Sequence, residues 1–335
     1  MKVTIREVAI KAGVSPITVS RALNSPDLVR PDTRAKIEKA VTELRYRPNP
    51  VAQGLRSGKT RVVLLVVKHK RTYDPLLFEF ALGVSDTFQQ NNYSLLIHLT
   101  PDGSVSVDDV TGRADGVILT DIEENDPRIE KLARHVPVAI FGESTLAVSQ
   151  VDIDDAWGAR LATEHLLSLG CQDIVMVAGD GRALYMKHRI RGYIEAFTEA
   201  GGNPTIAYGS LDLIGGETAI RSFGRIPEAI FCASDGMAVG VLRNLTSLGI
   251  RIPIVGCDGL QLGEMTTPTL TSIKLPFYEA GQKLAEAILD GIQGKEPVNI
   301  RIRPDLVIRE STHYWEGRTS RCDSSRNEAA SPTLT

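Results

Sequence analysis

Ile17, Ser20 and Arg21 stand at i, i+3 and i+4 in the run SPITVSRALN, a spacing that places them, with Pro16, on one outward helical face. A guanidinium on such a face can donate to guanine O6 and N7 or to phosphate, whereas Ile17 offers only apolar contact, for example to a thymine methyl. Bond-making chemistry finds no comparable foothold. His69, His98, His135, His165, His188 and His313 are spread out, with no H-E-x-x-H spacing. Cys171, Cys232, Cys257 and Cys322 form no close pair and read as structural thiols. VAGDGRALY follows a strand-like run but matches neither G-x-G-x-x-G nor a phosphate-binding loop. No catalytic residue, cofactor or metal site is expected.

The elements that position Arg21 are legible in local chemistry. Thr4-Ile5-Arg6-Glu7 is a capping box, and Ile5, Val8, Ala9 and Ala12 fall on one face of the helix it opens. Gly13 supplies the left-handed residue that ends it. Ser15 is the next N-cap and Pro16 the first helical residue, where a missing N–H costs nothing. Val19, Ala22 and Leu23 face inward. Pro31 restarts a third helix, read through RAKIEKAVTELRY, with Ile37, Val41 and Leu44 as its core stripe. Two short helices around a glycine turn, completed by a third, make a helix-turn-helix.

Charge divides the chain at the same place. Residues 1–60 carry twelve basic and five acidic side chains, a net +7, and the other 275 carry 26 against 36, a net −10. A basic module beside an acidic body suits contact with a polyanion. A length of 335 residues suggests two or three compact units, with 42% hydrophobic and 24% charged residues, as in a soluble globular protein. No apolar run reaches the roughly 20 residues of a membrane helix. The opening MKVTIREVAIKAGVS lacks the apolar core of a secretory signal, so a cytoplasmic location is expected.

The run TIREVAIKAGVSPITVSRALN, followed by RPDTRAKIEKAVTELRYRPNPVAQGLRSGKT, resembles the LacI/GalR family of bacterial transcriptional regulators. The resemblance extends to about residue 313 and implies a sequence-specific DNA-binding regulator, with repression the commoner outcome. The DNA-contact candidates are Thr4, Ser15, Pro16, Ile17, Thr18, Ser20, Arg21, Asn24, Arg30 and Leu55. In the family the stretch matching Pro48–Ser57 is a hinge helix that folds on operator DNA, and Leu55 matches its minor-groove leucine. Physics allows this independently, because about ten residues are too few for a stable isolated helix and Gly54 weakens it further. The implied partner is a near-palindromic double-stranded operator, gripped by a homodimer.

From Arg61 the pattern changes to alternating strands and helices. RVVLLVV is a continuous β-branched run suited to a strand buried on both faces. Further strands are read at YSLLIHL, ADGVILT, VPVAIF, DIVMVAG, EAIFCAS and IPIVGCD. Helices are read from Pro75 to Gln90 and at WGARLATEHLLSLG, RIRGYIEAFTEAG, SDGMAVGVLRNLTSLG and FYEAGQKLAEAILDGI. The fold class is therefore α/β, an N-terminal all-α module plus two doubly wound parallel-sheet lobes. The expected domains are the helix-turn-helix at 1–47, a hinge at 48–59 and a two-lobed body at 60–313. Within the body one lobe takes about 60–153 and 275–303, the other about 154–274 and 304–313. Residues 314–335, rich in Ser, Thr, Arg and Asn, read as a disordered tail.

The family resemblance implies a core like periplasmic sugar-binding proteins, with crossovers near Ile153–Asp155, Ser272–Leu275 and Arg303–Asp305 and an effector between the lobes. Arg189 and Asp258 match ligand-binding positions; Asp74 lies in the loop after the first body strand and Phe277 at the second crossover. An arginine, two carboxylates and a ring suit a polyhydroxylated effector, a sugar or sugar derivative, with a nucleoside or purine as the alternative. Ala183 and Leu211 stand where other members present polar or aromatic pocket residues. TPDGSVSVDDVTGR is shorter than the matching family segment, which carries a longer helix. A solute-binding transport protein would share the body but has no use for residues 1–60.

Overall fold

The computed structural model describes residues 3–24, 26–46, 59–68 and 74–313. Residues 48–58 of the expected hinge, Leu55 among them, and the expected tail at 314–335 lie outside the described residues. The chain separates into two compact units, Met1–Arg61 and Val62–Thr335.

In the first unit, helix α1 (Ile5–Ala12) opens with the Glu7 carboxylate accepting from Thr4 N at 2.7 Å and Thr4 Oγ1 at 2.9 Å. Those bonds favour the ionised carboxylate and lower the Glu7 pKa. Gly13, at φ 66°, closes α1, and Val14 N returns to Ala9 O at 3.0 Å. Ser15 Oγ accepts from Thr18 N at 3.1 Å and so caps α2 (Pro16–Asn24). α3 (Pro31–Glu43) ends before Tyr46, earlier than its apolar stripe suggests. Arg45 turns left-handed at φ 48° and Tyr46 N bonds back to Val41 O at 2.9 Å, a local closure that outweighs helix propensity. Val8, Val19 and Ile37, each fully buried, join the three helices with Ala9, Ala22 and Ala40.

The second unit holds two six-stranded sheets. The first contains β1 (Val62–Lys68), β2 (Ser94–Thr100), β3 (Gly116–Leu119), β4 (Val138–Phe141), β5 (Ser149–Ile153) and β11 (Asn299–Ile302). Its order is β11-β5-β4-β3-β1-β2, and every pairing is parallel. The second contains β6 (Ile174–Ala178), β7 (Thr205–Tyr208), β8 (Ala229–Cys232), β9 (Ile254–Asp258), β10 (Thr271–Lys274) and β12 (Asp305–Val307). Its order is β12-β10-β9-β8-β6-β7, parallel except between β10 and β12. The chain therefore passes between the sheets three times: after β5, after β10 and after β11. The short strands β5, β7, β10, β11 and β12 do not stand out from loops as apolar runs, because each carries polar residues within its three to five positions.

Nine helices accompany these sheets among the described residues: α4 (Pro75–Gln90), α5 (Val107–Val110), α6 (Pro127–Ala133), α7 (Asp155–Ser168), α8 (Leu184–Glu199), α9 (Leu213–Ser222), α10 (Asp235–Ser247), α11 (Phe277–Ile292) and α12 (Glu310–His313). In the short segment before β3, α5 is a single turn tied by Ser106 and Asp109. Helix α8 begins five residues before Arg189, earlier than the sequence suggests, and its N-cap Ala183 offers no capping side chain to mark the start. Helices α4 and α11 touch backbone to backbone. A Cβ on Gly83 would lie 2.1 Å from Tyr278 O, and one on Gly281 would lie 2.2 Å from Phe80 O, so both positions require glycine.

Candidate functional site

Three acidic residues at the edges of helices and strands surround one arginine. Asp155 opens α7, Asp235 opens α10, Asp258 ends β9, and Arg189 lies within α8. These are carboxyl ends of strands or the helices that follow them, where open α/β sheets place ligands. Arg189 Nε donates to Asp155 Oδ1 at 2.6 Å and Nη1 to the Ala233 carbonyl at 2.6 Å. Nη1 also lies 3.5 Å from Asp258 Oδ1. Asp258 Oδ2 accepts from Asp235 N at 3.3 Å, and Asp235 accepts from Ser272 Oγ at 2.6 Å and Leu260 N at 2.7 Å. All four charged residues are buried.

Burial opposes the Arg189 charge, but Asp155 and Asp258 outweigh it and hold its pKa well above the ordinary value. Burial pushes Asp155 up against the pull of Arg189, and Asp235 up against its hydrogen bonds from Ser272 and Leu260. Asp258 is raised to about 8 by burial, pulled down by Arg189 and pushed up again by Asp235. One cation thus faces three carboxyl groups, each raised by burial. A protonated carboxyl donates as well as accepts. Asp258 also sits at φ 132°, a region essentially reserved for glycine, so its backbone is held there by its surroundings.

A cavity of about 550 Å³ adjoins this network, lined by Asp180, Ala183, Tyr185, Met186, Tyr208, Ser210 and Leu211 among others. Its volume is within the range of small-molecule sites. The Tyr185 ring connects the two, with the Arg189 guanidinium carbon 5.2 Å from its centroid. Asp74 and Phe277 each have partners within the protein. Asp74 caps α4, its Oδ1 accepting from Leu76 N at 3.1 Å and Leu77 N at 3.2 Å. Phe277 is half-buried, 5.5 Å from the Phe141 ring, itself 4.9 Å from Phe80. Asp155, Asp235 and Ser272 were absent from the sequence-derived set. Their positions at strand ends and at the first crossover are the signal that could have found them.

On α2, Pro16, Ile17 and Arg21 are exposed, with Ile17 64% accessible despite being apolar. Ser20 and Thr18 are half-buried; Ser15, Thr4 and Arg30 are exposed; Asn24 is the last residue of the helix. The helix is held from beneath by Val19 and Ala22, so its outer face is displayed on a fixed core.

Comparison with known proteins bears on both units. Residues 4–49 match the bacterial regulatory proteins of the lacI family, and residues 163–312 match the periplasmic binding protein-like domain. The transcriptional regulator CelR of Thermobifida fusca is 32% identical over 333 residues, covering 92% of this chain and 98% of that protein. Two solved structures are similar along the same length. A CelR–cellobiose complex has a TM-score of 0.68 at 29% identity, covering 92% of this chain and 100% of the other. A lac repressor dimer bound to operator and the anti-inducer ONPF has a TM-score of 0.80 at 27% identity, covering 93% and 99%. The fold is that of a helix-turn-helix regulator with a binding-protein-like body. The chain belongs to the lacI family of bacterial regulatory proteins, DNA-binding regulators of transcription. Among the described residues, no helix is long and apolar enough to cross a membrane.

Proposed function

We propose that this chain is a homodimeric repressor that reads a near-palindromic operator with α2 and responds to a small polyhydroxylated effector held between the lobes. The observation that carries the reading is the pairing of an exposed Pro16–Ile17–Arg21 face on a rigid core with a buried Arg189–Asp258 site beside an open cavity. Arg21 donates to guanine or phosphate, and Ile17 offers an apolar contact. Thr4, Ser15, Thr18, Ser20, Asn24 and Arg30 fix the module on the backbone, and Leu55 wedges the minor groove from the hinge at 48–59.

At the effector site Arg189 donates, while Asp258, its carboxyl pKa raised to about 8 by burial, accepts and, when protonated, also donates. Tyr185 and Tyr208 supply faces for the apolar side of a sugar ring. Asp74 and Phe277 are proposed to bound the site from the other lobe. The cellobiose complex of CelR supports a sugar class. The effector shifts operator affinity by its differential binding to two lobe arrangements, typically about 1–3 kcal/mol of coupling. A thermal-shift panel of sugars, nucleosides and purines, followed by operator gel shifts with each hit, tests the reading. A sugar that stabilises the protein and shifts the gel supports it; a nucleoside or purine as sole hit overturns the ligand class.

A further inference from the structure

Beside the Arg189 network, three possible metal ligands converge from both lobes. Glu143 follows β4, Asp152 lies on β5, and His188 comes from α8 on the opposite lobe. One donor atom from each lies within 4.8 Å of the other two. His188 Nε2 is 3.6 Å from Glu143 Oε2, near the separation of about 3.4 Å that ligands at about 2.1 Å make around a tetrahedral ion.

A second observation comes from hydrogen bonding. Among the described residues, Asp152 Oδ2 is the buried side-chain oxygen that has no hydrogen-bond partner. An ionisable oxygen left this way is costly, and a bound cation is one of the few things that satisfies it. The nearest cation, Arg301 Nη2, is 3.7 Å away, too far to donate. Arg301 instead contacts Glu143 through Oε1, leaving Oε2 turned toward His188. Outer hydrogen bonds of this kind orient metal-binding carboxylates. Glu143 remains 35% exposed, so an ion can enter.

We propose that Glu143 Oε2, Asp152 Oδ2 and His188 Nε2 bind a divalent transition-metal ion of the zinc type, with solvent in the remaining position. Imidazole with carboxylates selects zinc, cobalt or nickel over calcium and magnesium, which take all-oxygen sets. Because Glu143 and Asp152 belong to one lobe and His188 to the other, the ion clasps the lobes together. It is a second input to their closure, one residue along α8 from Arg189 but with different ligands, and it does not depend on the effector class proposed above.

The test is titration of chelator-stripped full-length protein with Co²⁺, followed by visible d–d absorption and by displacement with Zn²⁺. The expected result is one saturable equivalent per chain, a band that Zn²⁺ abolishes, and at least about tenfold weaker binding in His188→Gln and Glu143→Gln. Circular dichroism establishes that each variant is folded. Asp152→Asn, which removes a buried charge and keeps the side-chain shape, gives the same weakening and stands in for any variant that misfolds. Absence of a saturable Co²⁺ spectrum, or unchanged affinity in the folded variants, overturns the site.

Discussion

Arg189 and Asp155 meet at 2.6 Å with less than a tenth of either side chain exposed, so the arginine expected to face an effector is already clasped by the first residue of α7. The effector must therefore share or take over a guanidinium that has internal partners.

Removing one member of this pair leaves an uncompensated buried charge. Arg189→Met or Asp155→Asn should each cost about 3–5 kcal/mol of stability in chemical unfolding. The double variant should lose less than the sum of the singles, because neither charge is left alone. Additive losses would show that the two residues are not coupled. Arg189→Met should also abolish the effector response in calorimetry.

The Asp258 carboxyl makes a pH prediction with a definite sign. Its folded pKa of about 8 lies above the ordinary 3.8, so between these values the folded chain holds a proton that the unfolded chain has released. Stability contributed by this group is complete below the lower value and is lost as pH rises through the upper one, by up to about 1.4 kcal/mol per pH unit. Asp258→Asn should reduce that decline in urea unfolding from pH 5 to 8 and abolish the effector response. A variant whose stability falls more steeply with pH than the parent would contradict the assignment.

The fold was legible where chemistry is local. The Thr4–Glu7 box, Gly13 and Ser15-Pro16 mark helix ends by side-chain and backbone preference, and β1 announces itself as a β-branched run. What stayed hidden depends on contacts distant in sequence. Arg189 meets Asp155 34 residues away, Ser272 meets Asp235 37 residues away, and no periodicity encodes either pair. The cluster of Glu143, Asp152 and His188 is likewise assembled by sheet topology from three separate segments. Arg189 and Asp258 entered through family resemblance, and the structure brings them together. It sets Asp74 at a helix cap and Phe277 against Phe141.

Arg21→Ala should weaken operator binding without changing effector affinity. If Arg21 reads a guanine, about 1–3 kcal/mol of discrimination disappears at one symmetric base pair. Uniform loss across sequences would make it a phosphate contact. Binding by the parent protein should itself be steeply salt-dependent, falling on the order of 10³–10⁵-fold from 50 to 200 mM salt for about 6–10 phosphate contacts.

Leu55→Ala separates hinge recognition from the helix-turn-helix acting alone. Loss of a minor-groove wedge forfeits the side chain that offsets an unstacking cost of a few kcal/mol. Specific affinity and operator bending should both fall, while non-specific binding and the melting temperature of the free protein stay nearly constant. A lowered melting temperature with unchanged bending would make Leu55 an ordinary core residue.

The central claim, an operator reader governed by a ligand between two lobes, is tested most directly by selecting bound sequences from random duplex DNA with the full-length protein. The enriched site is then titrated by fluorescence anisotropy with and without each stabilising sugar. The account predicts enrichment of a near-palindromic site whose affinity one sugar shifts by about 5–150-fold, a shift that disappears in Asp258→Asn while basal binding persists. Selection that yields no inverted repeat, or a site whose affinity every stabilising compound leaves unchanged, would contradict it.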